Sequence, residues 1–241
     1  MGGVVERPFF PDHILKAFPL LLKFLPVTLF VMAVTTLVGC ALGALLAYCR
    51  LHKNPFVSAC SGFYLNIMRC TPSIVLLFIM YYAMPRIVQS VFHISIDNFS
   101  KVFFVISALA LLFSATMCEV MRSAYLSIDK RQTEAALSVG LSERQAFFRI
   151  VLPQAVSVAI PPFCNALIAL SKEGALAYTI GLIDMMGQGT LIIARAYGSY
   201  ALETYIALAI IYWLLTIVIE RTFLIIEKKL SKGKRVIAVT K

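Results

Sequence analysis

The stretch FLPVTLFVMAVTTLVGCALGALLAYC, residues 24–49, runs for 26 positions without a charge. A membrane helix needs about 20 mostly apolar residues to cross the hydrocarbon core, so this run is a transmembrane span. Outward from it, residues 150–171 supply a second charge-free run, of 22 residues. Three shorter runs, 70–85, 102–118 and 204–219, are completed at their ends by Arg69, Arg86, Lys101, Arg122 and Arg221. The long stems of these side chains let the charge reach the interface while the helix stays in lipid. The pattern predicts an all-α integral membrane protein with five spans, at about 24–49, 70–90, 101–125, 150–172 and 202–226.

Composition agrees. Of 241 residues, 60% are hydrophobic and 14% charged, against about 25% charged in soluble chains. This excludes a soluble two-domain enzyme, a disordered chain and a disulfide scaffold. The six cysteines form no Cys-x-x-Cys pair, and His13, His52 and His93 are scattered, so the cysteines read as small buried hydrophobes rather than metal ligands. The first 17 residues carry Glu6 and Asp12 without a basic leader or cleavage site, and are not read as a signal peptide.

Two segments are mixed. Residues 54–68 lack charge but carry Asn54, Pro55, Ser58, Ser61 and Asn66, and are expected to be interfacial or peripheral; a crossing there would raise the count to six and invert everything downstream. Residues 174–202, broken by Asp184, Arg195 and five glycines, are expected to form a re-entrant or amphipathic element packed on protein.

The formal charge of +10 arises from 22 Lys and Arg against 12 Asp and Glu. With five spans, 15 of the basic residues fall in one set of connections and 7 in the other, while the acidic residues divide evenly. Basic residues concentrate on the cytoplasmic side of membrane proteins. The N-terminus is therefore expected outside and the C-terminus inside, with residues 1–23 extracytoplasmic or interfacial and residues 231–241 a basic cytoplasmic tail. The excess charge is then a matter of orientation, and nucleic acid is not an expected partner.

The connection at 127–152 is too regular for a simple loop. Asp129 with Gln132 three positions on, and Ser142 with Gln145, each read as a helix N-cap with a capping-box partner. Gly140 stands where the first helix must stop, at a position suited to the left-handed backbone that glycine tolerates. A short helix, a turn and a second helix feeding the fourth span follow. By its residues alone, this is either a solvated hairpin or an element that inserts into a partner.

The stretch TEAALSVGLSERQAFFRIVLPQA, residues 133–155, is similar to the EAA motif of ATP-binding-cassette (ABC) importer permeases. The segments MRCTPSIVLLFIMYYAMP (68–85), EVMRSAYLSI (119–128) and PPFCNALIALSKEGALAYTIGLIDMMGQG (161–189) resemble those of the polar amino acid branch, in the same order. Residues 24–230 thus look like one transmembrane domain of the type I ABC importer permease fold. The resemblance implies a multi-pass subunit in a bacterial cytoplasmic membrane. It implies that Glu134, Ala135, Ala136 and Gly140 form a coupling helix docked on a separate ATP-binding subunit. It also implies an extracytoplasmic solute-binding protein and a second permease subunit, identical or related.

Three departures stand out. Cys70 and Ser123 replace usual glycines, and Lys172-Glu173-Gly174-Ala175-Leu176 replaces Lys-Asp-Thr-Ser-Leu. The last leaves the substrate subclass open; the overall pattern looks most like cystine-type members, with glutamine, arginine and histidine types close.

A zwitterion needs a protein-lined path, because charged groups are costly in hydrocarbon. Candidate path residues are Glu119, Arg122, Asn165, Lys172, Glu173 and Asp184. Glu119 and Arg122, three apart on one helix face, are either a structural pair or contacts for opposite ends of a substrate; Asp184 is the leading acidic contact. Pro153, Pro161 and Pro162 either interrupt the fourth span or merely kink it, and Gly39-x-x-x-Gly43 permits close helix packing. The chain lacks Gly-x-x-x-x-Gly-Lys-Ser/Thr, His-Glu-x-x-His and Gly-x-Ser-x-Gly. It is therefore expected to be a non-catalytic subunit without a cofactor or metal, with ATP and magnesium on the partner. The rival readings are an ATP-independent ion-coupled carrier or channel, and a non-transporting scaffold.

Overall fold

The computed structural model describes residues 9–52 and 54–231, and every regular element among them is helical. Helix α1 (Pro11–Leu22) precedes α2 (Leu25–Leu51). Then come α3 (Pro55–Cys70), and α4 (Ser73–Phe78), which continues through a π-turn at Ile79–Ala83 into α5 (Met84–Phe92). Helix α6 (Lys101–Leu126) leads to α7 (Lys130–Ser138) and α8 (Glu143–Ala146). A π-turn at Phe147–Val151 opens into α9 (Leu152–Gly174), which tightens into a 3-10 turn at Ala175–Ile180. Helices α10 (Met185–Arg195) and α11 (Ala201–Ser231) complete the chain. Among the described residues, five helical runs are long and apolar enough to cross a membrane: Leu25–Leu51, Ser73–Phe92, Lys101–Leu126, Glu143–Ile180 and Ala201–Leu230.

Helix α6 is the axis of the bundle. Val105, Ala108, Ala115, Met117 and Cys118 on it are fully buried, and Val31, Leu77, Leu109, Phe113 and Leu170 join it in the main core. Lipid tails are as apolar as leucine, so these helices associate through close packing rather than through the hydrophobic effect. The Gly39-x-x-x-Gly43 face provides the fit: a Cβ on Gly39 would lie 2.7 Å from Phe113 Cδ1, and one on Gly43 2.6 Å from Met117 Cβ. The opposite face of α2 presents Phe30, Leu37 and Leu45 outward, Leu37 at 72% exposure, as a lipid-facing stripe does.

A second core lies where α1 crosses α10 and α11, around Leu21, Met185, Leu208 and Ile211. Two bonds close this end of the bundle. The Phe10 N–H donates to Glu203 Oε1 at 2.9 Å, and Lys101 Nζ, at the start of α6, donates to the Gly181 carbonyl at 3.1 Å. Because α6 runs away from this end, α7 and α8 lie at the other.

The segment expected to be interfacial or peripheral is helix α3, packed on α2 and α6. Tyr64 Oη bonds the Leu111 carbonyl at 3.0 Å and Ser114 Oγ at 2.9 Å, and Leu65 is buried with Ala47, Ala115 and Cys118. Helix α3 stops at Thr71 and Pro72, both extended, because the residue before a proline is driven out of the helical region. Pro161 and Pro162, by contrast, sit inside an unbroken α9; after Leu152 that span changes character only at the 3-10 turn, which Gly181 ends at φ 78°.

Candidate functional site

The exposed helix pair is built from local signals. Asp129 caps α7, its side chain accepting from the Arg131 N–H at 2.9 Å. Gln132, expected to complete a capping box there, turns its amide instead to Gln154 on α9. The end of α7 is a Schellman motif: the Gly140 N–H bonds the Leu137 carbonyl at 3.0 Å and the Leu141 N–H bonds that of Ala136 at 3.1 Å. Gly140 holds φ 86°. The second cap is complete, since Ser142 Oγ accepts from the Gln145 N–H while Gln145 Oε1 accepts from the Ser142 N–H. Of the four residues singled out here, Ala136 is buried against the bundle and Glu134, Ala135 and Gly140 face outward. Beside them Leu137 is exposed and Val139 is 79% exposed. A rigid tip bearing bare apolar side chains next to a helix turn is a shape that a groove on another protein can bind.

A polar cleft of about 350 Å³ lies between α2, α3 and α6, lined by Arg50, Asn66, Arg69 and Glu119 with Ala59, Gly62, Phe63 and Leu65. Glu119 is held by Arg122 at 2.8 Å, one turn on. Arg50 Nη1 donates to the Ser58 carbonyl at 3.1 Å, and Arg50 Nε is buried without a hydrogen-bond partner among the described residues. Gly62 makes the room, since a Cβ there would sit 2.8 Å from Arg50 Nη1. Guanidinium groups beside a carboxylate match the two ends of an α-amino acid, and a buried unpaired N–H costs about 1–3 kcal/mol until something accepts from it.

The structure separates the six path candidates. Glu119 lines the cleft, and Arg122 reaches it only through its pair with Glu119. Asp184 is 2% exposed and lines a small void with Thr28, Leu109, Ser171 and Gly174; ten residues of α6 separate Leu109 from Glu119, ~15 Å along the helix. Its carboxylate caps α10, Oδ1 accepting from the Gly187 N–H at 2.8 Å. Burial pushes this carboxyl up to about 6, while backbone N–H groups of Gly187 and Met186 pull it the other way. Glu173 is half-buried at the end of α9, facing Ser73, and Lys172 and Asn165 are exposed. Sequence reasoning treated Arg69 as an interfacial charge and did not single out Arg50 or Asn66 as site residues; the available signal was an arginine beside the Thr71-Pro72 break. Among the described residues no group of His, Cys, Asp and Glu could hold a metal ion.

The described residues form a membrane bundle of five candidate spans, with an exposed pair of capped helices at one end and a polar cleft against its axis. Residues 39–232 match the family model described as binding-protein-dependent transport system inner membrane component, and the chain belongs to that family. It is a multi-pass membrane protein and a transport subunit. It is 36% identical to the L-cystine transport system permease protein TcyL of Bacillus subtilis, over 98% of both chains. It is 37% identical to the probable amino-acid permease protein YxeN of the same organism, over 93% of this chain and 97% of that one. Among solved structures, an amino acid ABC transporter crystallised with histidines superimposes with a TM-score of 0.79 at 26% identity, covering 92% of this chain and 99% of that one. The MetNI methionine ABC transporter, inward facing, shares the fold with a TM-score of 0.69 over 88% of this chain and 97% of that one.

Proposed function

We propose that this chain is the permease subunit of an ABC importer for a polar amino acid, with cystine the best-supported substrate. It docks an ATPase subunit through the α7 tip, and ATP and magnesium reside on that partner. The observation that carries the reading is the tip itself: Gly140 at φ 86° between two capped helices, with Leu137 and Val139 uncovered. The similarity to an L-cystine permease over nearly the full length supports the substrate.

The basic residues orient the chain with α7 and the C-terminus in the cytoplasm and α1 outside. A solute-binding protein delivers substrate to the α1 end, and a second copy or close relative completes the path, half of which this chain lines. Glu119 and Arg122 serve that path with Arg50, Asn66 and Arg69: the guanidinium groups take the substrate carboxylate and Glu119 its ammonium. Closure of the ATPase subunits moves the α7 tips, and the spans alternate between outward-open and inward-open states.

The test is reconstitution of the full complex in proteoliposomes. Cystine uptake that needs both ATP and the binding protein is the expected result; uptake driven by an ion gradient alone would overturn the reading in favour of a carrier. Gly140→Val, which forces a β-branched residue into the left-handed region, is expected to weaken ATPase co-purification, while Gly140→Asn retains it.

A further inference from the structure

The covalent link from the α7–α8 tip into the fourth span is compliant. Phe147–Val151 form a π-turn, a widened helical turn at which helices bend. Pro153 follows at once within α9. It stands in the first turn of α9 and has no N–H to donate, so no backbone ladder bond forms at that position either. The covalent route from the tip into the fourth span thus runs through a widened turn and a position without a helical donor.

A second, non-covalent connection bypasses it. Gln154, one residue beyond Pro153, donates through Nε2 to Oε1 of Gln132, and the same Nε2 reaches the Ile150 carbonyl at 3.0 Å. Gln132 lies in the first turn of α7, whose ends are tied down by the Asp129 cap and by the Schellman bonds at Gly140 and Leu141. Helix α7 therefore moves as one body from Gln132 to Val139. The two amides join this body to α9 on the far side of both weak points.

We propose that Gln132 and Gln154 are positioning residues that carry displacement of α7 directly to the fourth span, so that the pair sets how much transport each ATP yields. The inference rests on the coupling reading of α7 given above. A neutral amide pair at the edge of the element contributes little to assembly, so its loss appears as slippage: the ATPase keeps turning while the span follows less faithfully.

The experiment uses the complete complex of permease, ATPase and binding protein in proteoliposomes, with uptake and ATP hydrolysis measured on the same vesicles. Gln132→Ala and Gln154→Ala are each expected to lower uptake per ATP hydrolysed by about 3–10-fold, the range of one hydrogen bond. The double alanine variant is expected to be no worse than either single one, because both remove the same contact. Gln132→Glu keeps the accepting oxygen and preserves the ratio, whereas the Gln132→Glu/Gln154→Glu pair sets two acceptors face to face and lowers it. An unchanged ratio in both alanine variants, or losses that multiply in the double variant, overturns the proposal. ATPase co-purification is read separately: an unmodified complex in which the ATPase assembles without contacting α7 overturns the coupling reading itself, and this inference with it.

Discussion

The Thr28 hydroxyl oxygen accepts a hydrogen bond from the backbone N–H of Met185, 157 positions later, at 3.2 Å. Both residues are buried. The first N–H groups of a helix have no partner within it, and the start of α10 meets this need from two directions: Asp184 takes the Gly187 N–H, and the first span takes that of Met185. The bond fixes α10, and with it the second core, to α2. Thr28→Val keeps the shape and removes the acceptor, leaving a buried N–H unpaired at a cost of about 1–3 kcal/mol. A lower melting temperature in detergent is expected, and an unchanged one would show that α10 is not tied to α2 in this way.

Asp184 offers a test with a sign. Its folded value of about 6 lies above the ordinary carboxyl value of about 4. The folded protein therefore favours the neutral acid, and the stability this contributes is full below pH ~4 and lost as the pH rises through 6. Asparagine caps helices as well as aspartate and carries no charge. Asp184→Asn is thus expected to melt at a temperature that rises relative to the wild type between pH 4.5 and 7. Asp184→Ala follows the same pH dependence but, lacking the cap, is expected to lie about 1 kcal/mol below Asp184→Asn across the whole range.

The glycine face of α2 leaves no room for growth. Gly43→Ala places a methyl group 2.6 Å from Met117 Cβ and 3.0 Å from the Ser114 carbonyl oxygen, and such overpacking costs about 1–3 kcal/mol. Gly62→Ala meets only the flexible end of Arg50 and is expected to be the milder change. Thermal unfolding of the two variants side by side decides the point.

Glu119→Gln breaks the 2.8 Å pair with Arg122, and Arg50→Gln removes the guanidinium whose buried Nε has no hydrogen-bond partner among the described residues. Charge-assisted bonds of this kind are worth enough that each loss is expected to cut uptake by about tenfold, with ATPase co-purification intact. Normal uptake alongside a lowered melting temperature would instead make Glu119 and Arg122 a structural pair.

What was legible beforehand was local in origin. The charge-free runs announced the spans because crossing a bilayer imposes a length on consecutive residues. Gly140 and the Ser142–Gln145 cap were readable because each involves atoms a few bonds apart. Gln132 was not. From its own neighbourhood an amide three residues after Asp129 reads as a capping partner, and only the packing of α7 beside α9 brings Gln154 within reach to compete for it. Asp184 is intermediate: an acid three residues before Gly187 fits an N-cap, but its burial depends on α2 and α6 closing over it.

Read along the chain, the residues were enough to establish a membrane bundle, where its spans fall, and that one connection is a pair of capped helices. All of these follow from hydrophobic length, charge and backbone geometry along adjacent residues. The tertiary structure alone decided that Arg50, Asn66 and Arg69 meet Glu119 in one cleft, that α3 leans on α6 through Tyr64, and that Gln132 clasps Gln154. Each of these joins groups far apart in the chain, and in lipid such groups meet only where small residues such as Gly39, Gly43 and Gly62 let helices and side chains approach.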